Sequence, residues 1–344
     1  MQTKAKIDTL DPSTALNSTS KSRDRDAAQG QSRAVRRAHD ASNDAELSRS
    51  TSAVRRGIDM RWDRFELALS KRTYIMGILN RTPDSFSDGG LFMDEKAAID
   101  RVYRMASEGA DIIDIGGEST RPGAKPVSTN EELERTIPVI KAVAKKLDVP
   151  ISIDTYKSEV AAAALENGAA MINDITGFGG DSRLASVAAE FGVPVVIMHI
   201  KGTPRTMQRD VHYESLIDDI LANLRESIDL AAKAGVAKDK IIIDPGIGFG
   251  KTTEHNVEIL NNLGSFKVLE RPILVGVSRK SFIVNTLKKA NISDEDIKIS
   301  GRLMGTASSA AISIMNGANI LRVHDVKEMV QVARIADAIK SARR

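Results

Sequence analysis

Residues 75–90 read IMGILNRTPDSFSDGG, and this stretch decides the fold. It opens on a short apolar run, 75–79, with the character of a buried strand. The run stops at Asn80 and gives way to a loop of turn formers: Thr82, Pro83, Asp84, Ser85, Ser87, Asp88, Gly89 and Gly90. A strand that ends in a polar side chain and opens into a long polar loop is the unit from which a (β/α)8 barrel builds its catalytic face. Asn80, Asp84 and Ser85, clustered with Phe86, favour a site over a plain turn.

Outward from this stretch the same unit recurs. Apolar runs at 75–79, 112–115, 151–153, 171–173, 195–198, 241–243, 273–277 and 320–323 read as strands. Helical patterns lie between and after them, at 96–107, 131–146, 158–166, 182–191, 215–234, 255–263, 280–289, 306–315 and 326–339. Such alternation argues a parallel sheet covered by helices. Gly109, Gly168, Gly192, Gly235 and Gly317 stand between a helix and the next strand, where a left-handed cap ends a helix. Eight such units need roughly 250 residues, and the chain from 75 onward supplies about that many. The expected architecture is therefore an α/β (β/α)8 TIM barrel. A doubly wound open sheet is the alternative, and it accounts less well for eight consistent units.

Residues 1–57 are rich in Ser, Arg, Asp and Ala, have no aromatics and show no sustained apolar period. Such a segment cannot bury enough surface to offset ordering entropy, so it reads as a disordered extension. Seven acids, among them Asp24, Asp40 and Glu46, separate it from a transit peptide, and it lacks the apolar core of a secretory signal. The barrel domain is expected over 58–344, with 65–69 as a short strand or plug at its bottom. A chain of 344 residues with net charge +3 gives little support to a nucleic-acid partner. No apolar run approaches the length of a membrane span. With no cysteine there are no disulfides, zinc–thiolate sites or thiol catalysis. A cytoplasmic protein without nucleic-acid or membrane partners is expected.

The residues at or just past the strand ends form an unusual set. They are Asn80; Asp114, Gly116 and Glu118; Asp154; Asn173 and Asp174; His199; Asp244; Ser278, Arg279 and Lys280; and Arg322 with His324. In a barrel these converge on one mouth, and so many charges there call for a ligand. Asp154, Asn173 and Asp244 suit a planar heterocycle with adjacent N–H donors, which a carboxylate can grip bidentately. Lys280 can direct a donor at a carbonyl or ring nitrogen. Asn80, Arg322 and His324 resemble an anion pocket for phosphate, and Arg121, on the loop 116–123, can close over it. Met198 and Phe249 are at this rim packing residues or a sandwich for a ring. Residues 246–252, GIGFGKT, resemble a phosphate loop but have three residues between the glycines where that motif needs four. His199 is equally a core histidine or a substrate contact, and nothing in the spacing makes a zinc site.

These stretches together resemble the dihydropteroate synthase family. The motifs that carry the resemblance are YIMGILNRTPDSFSDGG, GADIIDIGGESTRPGA, SIDTYKSEVA, MINDITG, VVIMH, IIIDPGIGFGKTTEHN, VGVSRKSFI and ILRVHDVKE, eight in order over residues 72 to nearly the end. The resemblance implies a barrel that condenses 6-hydroxymethyl-7,8-dihydropterin diphosphate with 4-aminobenzoate on the folate pathway. It implies that Asp154, Asn173, Asp244 and Lys280 hold the pterin, with Met198 nearby. Asn80 would serve the Mg2+–diphosphate end, and Arg322 and His324 would grip diphosphate. Thr120, Arg121 and Pro122, with Phe86 and Phe249, would shape the aminobenzoate side, and Ser278 with the following helix start would meet its carboxylate. A homodimer through the late helices is also implied. Arg81 departs from the family pattern, where an apolar residue is commoner, and residues 1–57 have no counterpart in it. Two other readings share the barrel: a pterin-dependent methyltransferase, disfavoured by STRPG and SRKS, and a non-catalytic pterin-binding barrel, disfavoured by Asn80, Lys280 and Arg322.

Overall fold

A computed structural model describes residues 58–82, 94–209 and 211–342. The expected disorder of 1–57 and the site assigned to Asp84, Ser85 and Phe86 lie outside the described residues. Among those described, a small hairpin precedes the barrel: β1 (Met60–Trp62) pairs antiparallel with β2 (Phe65–Leu67). The barrel strands are β3 (Tyr74–Asn80), β4 (Ile112–Gly116), β5 (Ile151–Asp154), β6 (Met171–Asp174), β7 (Val195–Met198), β8 (Ile241–Asp244), β9 (Leu274–Val275) and β10 (Ile320–Val323).

These eight strands form one sheet in the order β8-β7-β6-β5-β4-β3-β10-β9, and every neighbouring pair is parallel. The ends of the sheet meet through a parallel bridge between Ile243 and Ile273, and Ile243 N donates to Pro272 O at 2.9 Å. The sheet is thus closed, as the eight sequence units require, and the open alternative is excluded. The strands are Ile- and Val-rich and buried on both faces, as strands between a packed interior and a helical layer must be. The run 273–277 keeps only Leu274–Val275 as regular strand, because the chain turns early towards the loop of Ser278.

The covering helices follow the sequence periods with shifts at their ends. They are Glu95–Ser107, Thr129–Val143, Ser158–Glu166, Leu184–Phe191, Leu216–Lys233, Thr253–Asn261, Ser281–Lys289, Arg302–Asn316 and Val326–Ala342. Side-chain caps set several starts: Asp94 accepts from Ala97 N, Ser128 from Glu131 N, and Thr252 forms a reciprocal cap with His255. The helix expected from 306 begins at Arg302, continuing a π-turn over Ile297–Gly301. The five inter-element glycines all have positive φ, from 64° to 122°.

The hairpin supplies the bottom plug. Met60 is fully buried, and the Trp62 indole N–H donates to Ala170 O at 2.8 Å, just before β6 begins. At the same end Arg72 makes a two-pronged pair with Asp111, at 2.6 and 2.8 Å, and Asp111 also accepts from Ile75 N. No described helix is long and apolar enough to cross a membrane.

Candidate active site

Parallel strands all end at one face, so the register fixes which terminal residues are neighbours. Asn80 lies beside Gly116, Gly116 beside Asp154 and Asp154 beside Asn173, while Met198 lies beside Asp244. Gly116 matters in this row, since a Cβ there would stand 3.3 Å from the Asp154 Cβ.

Arg322 on β10 joins the row across the interior. Its Nε donates to Asp114 Oδ2 at 2.6 Å and its Nη2 to Asp154 Oδ2 at 2.5 Å. Asn173 Nδ2 donates to the same Asp114 oxygen at 3.0 Å, which turns the Asn173 carbonyl oxygen free to accept elsewhere. Asp114 Oδ1 is buried with no hydrogen-bond partner. Burial opposes the Arg322 charge, but Asp114 and Asp154 outweigh it and raise its pKa. Burial raises the Asp154 carboxyl too, against the pull of Arg322 and with help from Asp114. This crowding of charge in a low-dielectric place marks a functional site more often than a structural one.

The opposite side of the mouth carries Asp244 and Lys280. Asp244 Oδ1 accepts from Gly246 N at 2.7 Å. Burial raises its pKa, while Lys280 is the largest force keeping it charged. Burial lowers Lys280 to about 8, with Asp244 pulling the other way. The Lys280 ammonium donates to Ile247 O and sits 4.6 Å from the centre of the Phe249 ring. Lys280 also begins the helix Ser281–Lys289 without a side-chain cap, so the first N–H groups of that helix lie just behind the site.

Ser278 and His324 form the third part. Ser278 Oγ accepts from His324 N at 3.2 Å and lies 3.0 Å from His324 Nδ1. Burial, then Arg322 and Arg279, lower His324 to about 3. The ring is therefore neutral at pH 7. With Ser278 O–H donating to Nδ1, Nε2–H is left as a donor; with Nδ1–H donating to Ser278 Oγ, Nε2 is left as an acceptor. Arg279 holds φ 59° and pairs with Asp325 through Nε at 3.0 Å. A non-glycine residue in that region costs energy and is kept where surroundings impose it.

Thr120 is half-buried and Arg121 and Pro122 are exposed on the loop after β4. Gly123 N reaches Pro204 O at 3.2 Å on the loop after β7. Arg121 also lies near enough for its charge to lower the His324 pKa, so this loop and the end of β10 meet at one mouth. Met198 is buried, whereas Phe249 is partly exposed. Arg81 leaves the mouth for the helical layer, where its Nη1 donates to Arg135 O at 2.9 Å.

His199 is accounted for by the scaffold. Its Nδ1 is 2.8 Å from Lys251 Nζ, and Lys251 donates to Phe249 O at 2.9 Å. Burial, then Lys251, lower His199 to about 2. Gly246 completes this loop: with φ 74°, a Cβ there would lie 1.9 Å from His199 O. Residues 246–252 are thus a β–α loop. Among the described residues no group of three or more His, Asp or Glu side chains is disposed to hold a metal ion.

The sequence puts Asp114 at the mouth without a task, and the structure makes it the common acceptor for Arg322 and Asn173. Only the register could show this, since the partners lie on strands far apart in the chain. Arg322, read as a phosphate residue, is held by two carboxylates. Its Nη1 has no hydrogen bond among the described residues. The sequence reading missed Lys157 altogether, although it lies three residues past Asp154 and the same strand-end rule points to it.

A family model described as pterin binding enzyme matches residues 76–324. A dihydropteroate synthase of Synechocystis is 49% identical over 269 residues, which cover 78% of this chain and 91% of that one. The chain belongs to the dihydropteroate synthase family. Two solved members of the family match its fold. A dihydropteroate synthase of Clostridium difficile, solved in the presence of pteroic acid, is 47% identical with TM-score 0.70, covering 78% of this chain and 97% of that one. The Xanthomonas albilineans dihydropteroate synthase with 4-aminobenzoic acid is 40% identical with TM-score 0.71, covering 80% and 96%.

Proposed function

We propose that this family member condenses 6-hydroxymethyl-7,8-dihydropterin diphosphate with 4-aminobenzoate, giving 7,8-dihydropteroate and diphosphate in folate biosynthesis. The observation that carries the reading is the Arg322 bridge, which ties Asp114, Asp154 and Asn173 into one buried polar wall facing Asp244 and Lys280. In this reading Asp154 and Asp244 accept from the ring and amino N–H groups of the pterin, and the Asn173 carbonyl takes a further donor. Lys280 donates to the ring, and Phe249 and Met198 border it. The free Nη1 of Arg322 and neutral His324, in the tautomer with its proton on Nε2, meet the diphosphate. Thr120, Arg121, Pro122 and the helix start after Ser278 receive the aminobenzoate.

The arylamine is neutral at pH 7 and needs no strong base. Its nitrogen lone pair forms the new bond to the pterin methylene as the carbon–oxygen bond breaks. The diphosphate leaves with that electron pair, and the amine proton passes to solvent. Positive charge builds on the pterin as this happens, and the Asp154 and Asp244 carboxylates favour it. Preorganised donors on the departing anion act in the same step. Closure of the loops over the mouth keeps water from competing for the methylene.

Mg2+ belongs to the same proposal. It prefers oxygen ligands and is commonly held by one or two protein groups together with substrate phosphates. Asn80 fits such a role: it ends β3 at the mouth and its amide has no hydrogen bond among the described residues. The ion would supply charge neutralisation on the leaving diphosphate.

A homodimer is likewise proposed. Met304 and Ile312 on the helix Arg302–Asn316 are 62% and 51% exposed, and Ile335 and Ile339 on the adjoining helix Val326–Ala342 are 65% and 51% exposed. The spacings of eight and four put each pair on one helix face. Such an apolar patch favours association. A cytoplasmic location goes with the reading, and cell fractionation tests it. The test of the reaction is incubation of the purified protein with both substrates and Mg2+, followed by mass spectrometry for dihydropteroate. Its formation is expected. No product, with the pterin substrate bound, would leave a binding barrel instead.

A further inference from the structure

Beside the mouth lies a buried charge cluster with no part in the roles above. Lys157 Nζ donates to Glu118 Oε2 at 2.6 Å, Glu132 Oε2 at 2.5 Å and Val127 O at 2.9 Å. Tyr156 O–H donates to the other Glu118 oxygen at 2.9 Å. The side chains of Lys157, Glu118 and Glu132 are 16%, 9% and 1% exposed. Two carboxylates around one ammonium in such a place are costly, and a well-packed apolar group is often as stable. The arrangement therefore asks for a reason other than stability.

The geometry supplies one. Glu118 and Val127 are the two ends of the loop after β4, and Val127 N also turns to Glu118 Oε2 at 3.4 Å. One ammonium grips both ends and anchors them to Glu132 on the helix Thr129–Val143. Residues 119–126 between them carry Thr120, Arg121 and Pro122. Lys157 caps the helix that follows β5, three residues beyond Asp154 in the chain.

We propose that Lys157, with Tyr156, is a positioning residue that pins the neck of the β4 loop and so sets the aminobenzoate subsite without touching substrate. This rests on the reaction assigned above. Lysine donates in three directions from one point, which suits a knot of two carboxylates and a carbonyl. Loss of the knot frees the loop from both ends while leaving the pterin wall of Asp114, Asp154, Asn173 and Arg322 intact.

The test is steady-state kinetics with each substrate varied, beside pterin diphosphate binding and amide hydrogen exchange over 117–128. For Lys157→Met the KM for 4-aminobenzoate rises about tenfold or more, the scale on which misplaced positioning groups act. Exchange in the loop becomes faster, and pterin diphosphate affinity stays within about twofold. Tyr156→Phe removes one hydroxyl and keeps the ammonium, so it gives the same pattern at smaller size even where Lys157→Met does not fold. An unchanged KM and unchanged loop exchange in a folded variant overturn the proposal. Equal loss of pterin and aminobenzoate binding overturns it as well. Failure of the unsubstituted protein to make dihydropteroate would instead count against the reaction itself.

Discussion

Asp154 serves two kinds of contact, the Arg322 guanidinium and, in the proposed reaction, a pterin edge. Removing its charge while keeping its shape separates these from folding. Asp154→Asn is expected to lower kcat by about 10²–10³, the usual cost of losing one preorganised electrostatic contact, with the melting temperature little changed. Near-normal turnover in a diphosphate-release assay would refute the role. His324 and His199 make a second residue-scale case. Their ordinary value is 6.5, and burial lowers them to about 3 and about 2. An unfolded chain binds these protons first, so each histidine contributes stability that is complete above pH 6.5 and is lost as pH falls through the folded values. Imidazole proton resonances of both residues should stay fixed between about pH 8 and 5, where free histidine titrates. A midpoint near 6.5 for either would contradict their burial as neutral rings.

At the scale of elements, the strands were legible because most are short apolar runs rich in Ile and Val with a polar residue at or near the end. Ile241–Asp244 shows the rule plainly, with its polar end at the barrel mouth. The glycines between helices and strands were legible for the same local reason. What local pattern cannot carry is pairing at a distance. Asp114 looks like any buried strand acid until the register brings Asn173 and Arg322 to one of its oxygens. Lys157 looks like a solvated lysine until the loop after β4 folds back on it. The hairpin was only half legible: 65–69 reads as a short strand or plug, of which Phe65–Leu67 is strand, but its partner Met60–Trp62 has too few residues to show a period. That hairpin closes the end of the barrel away from the site, so it serves stability. Trp62→Ala should destabilise the protein by about 3–5 kcal/mol in urea unfolding and leave kcat per folded molecule unchanged. A selective loss of kcat with full stability would give the hairpin a role in the reaction.

For the whole molecule, the fold divides labour between its two ends. The bottom is sealed by Trp62 and by the Arg72–Asp111 pair, while the top collects charges that a stable protein would otherwise avoid. Exposed apolar residues of the last two helices, Met304, Ile312, Ile335 and Ile339, would form the contact of the proposed dimer. Ile312→Glu with Ile335→Glu should turn a dimer into a monomer in sedimentation analysis, since a buried unpaired carboxylate is disfavoured at an interface. A dimer that survives both changes would place the contact elsewhere.

In the proposed reaction one mouth would hold the pterin between the Asp114–Arg322 wall and the Asp244–Lys280 side. A crystal structure of this protein with pteroic acid tests it most directly. The pterin ring is expected to be hydrogen-bonded to Asp154, Asn173, Asp244 and Lys280, with the benzoate towards Ser278 and the loop of Arg121. Pteroic acid bound away from these residues, or bound there with its two ends reversed, would contradict it.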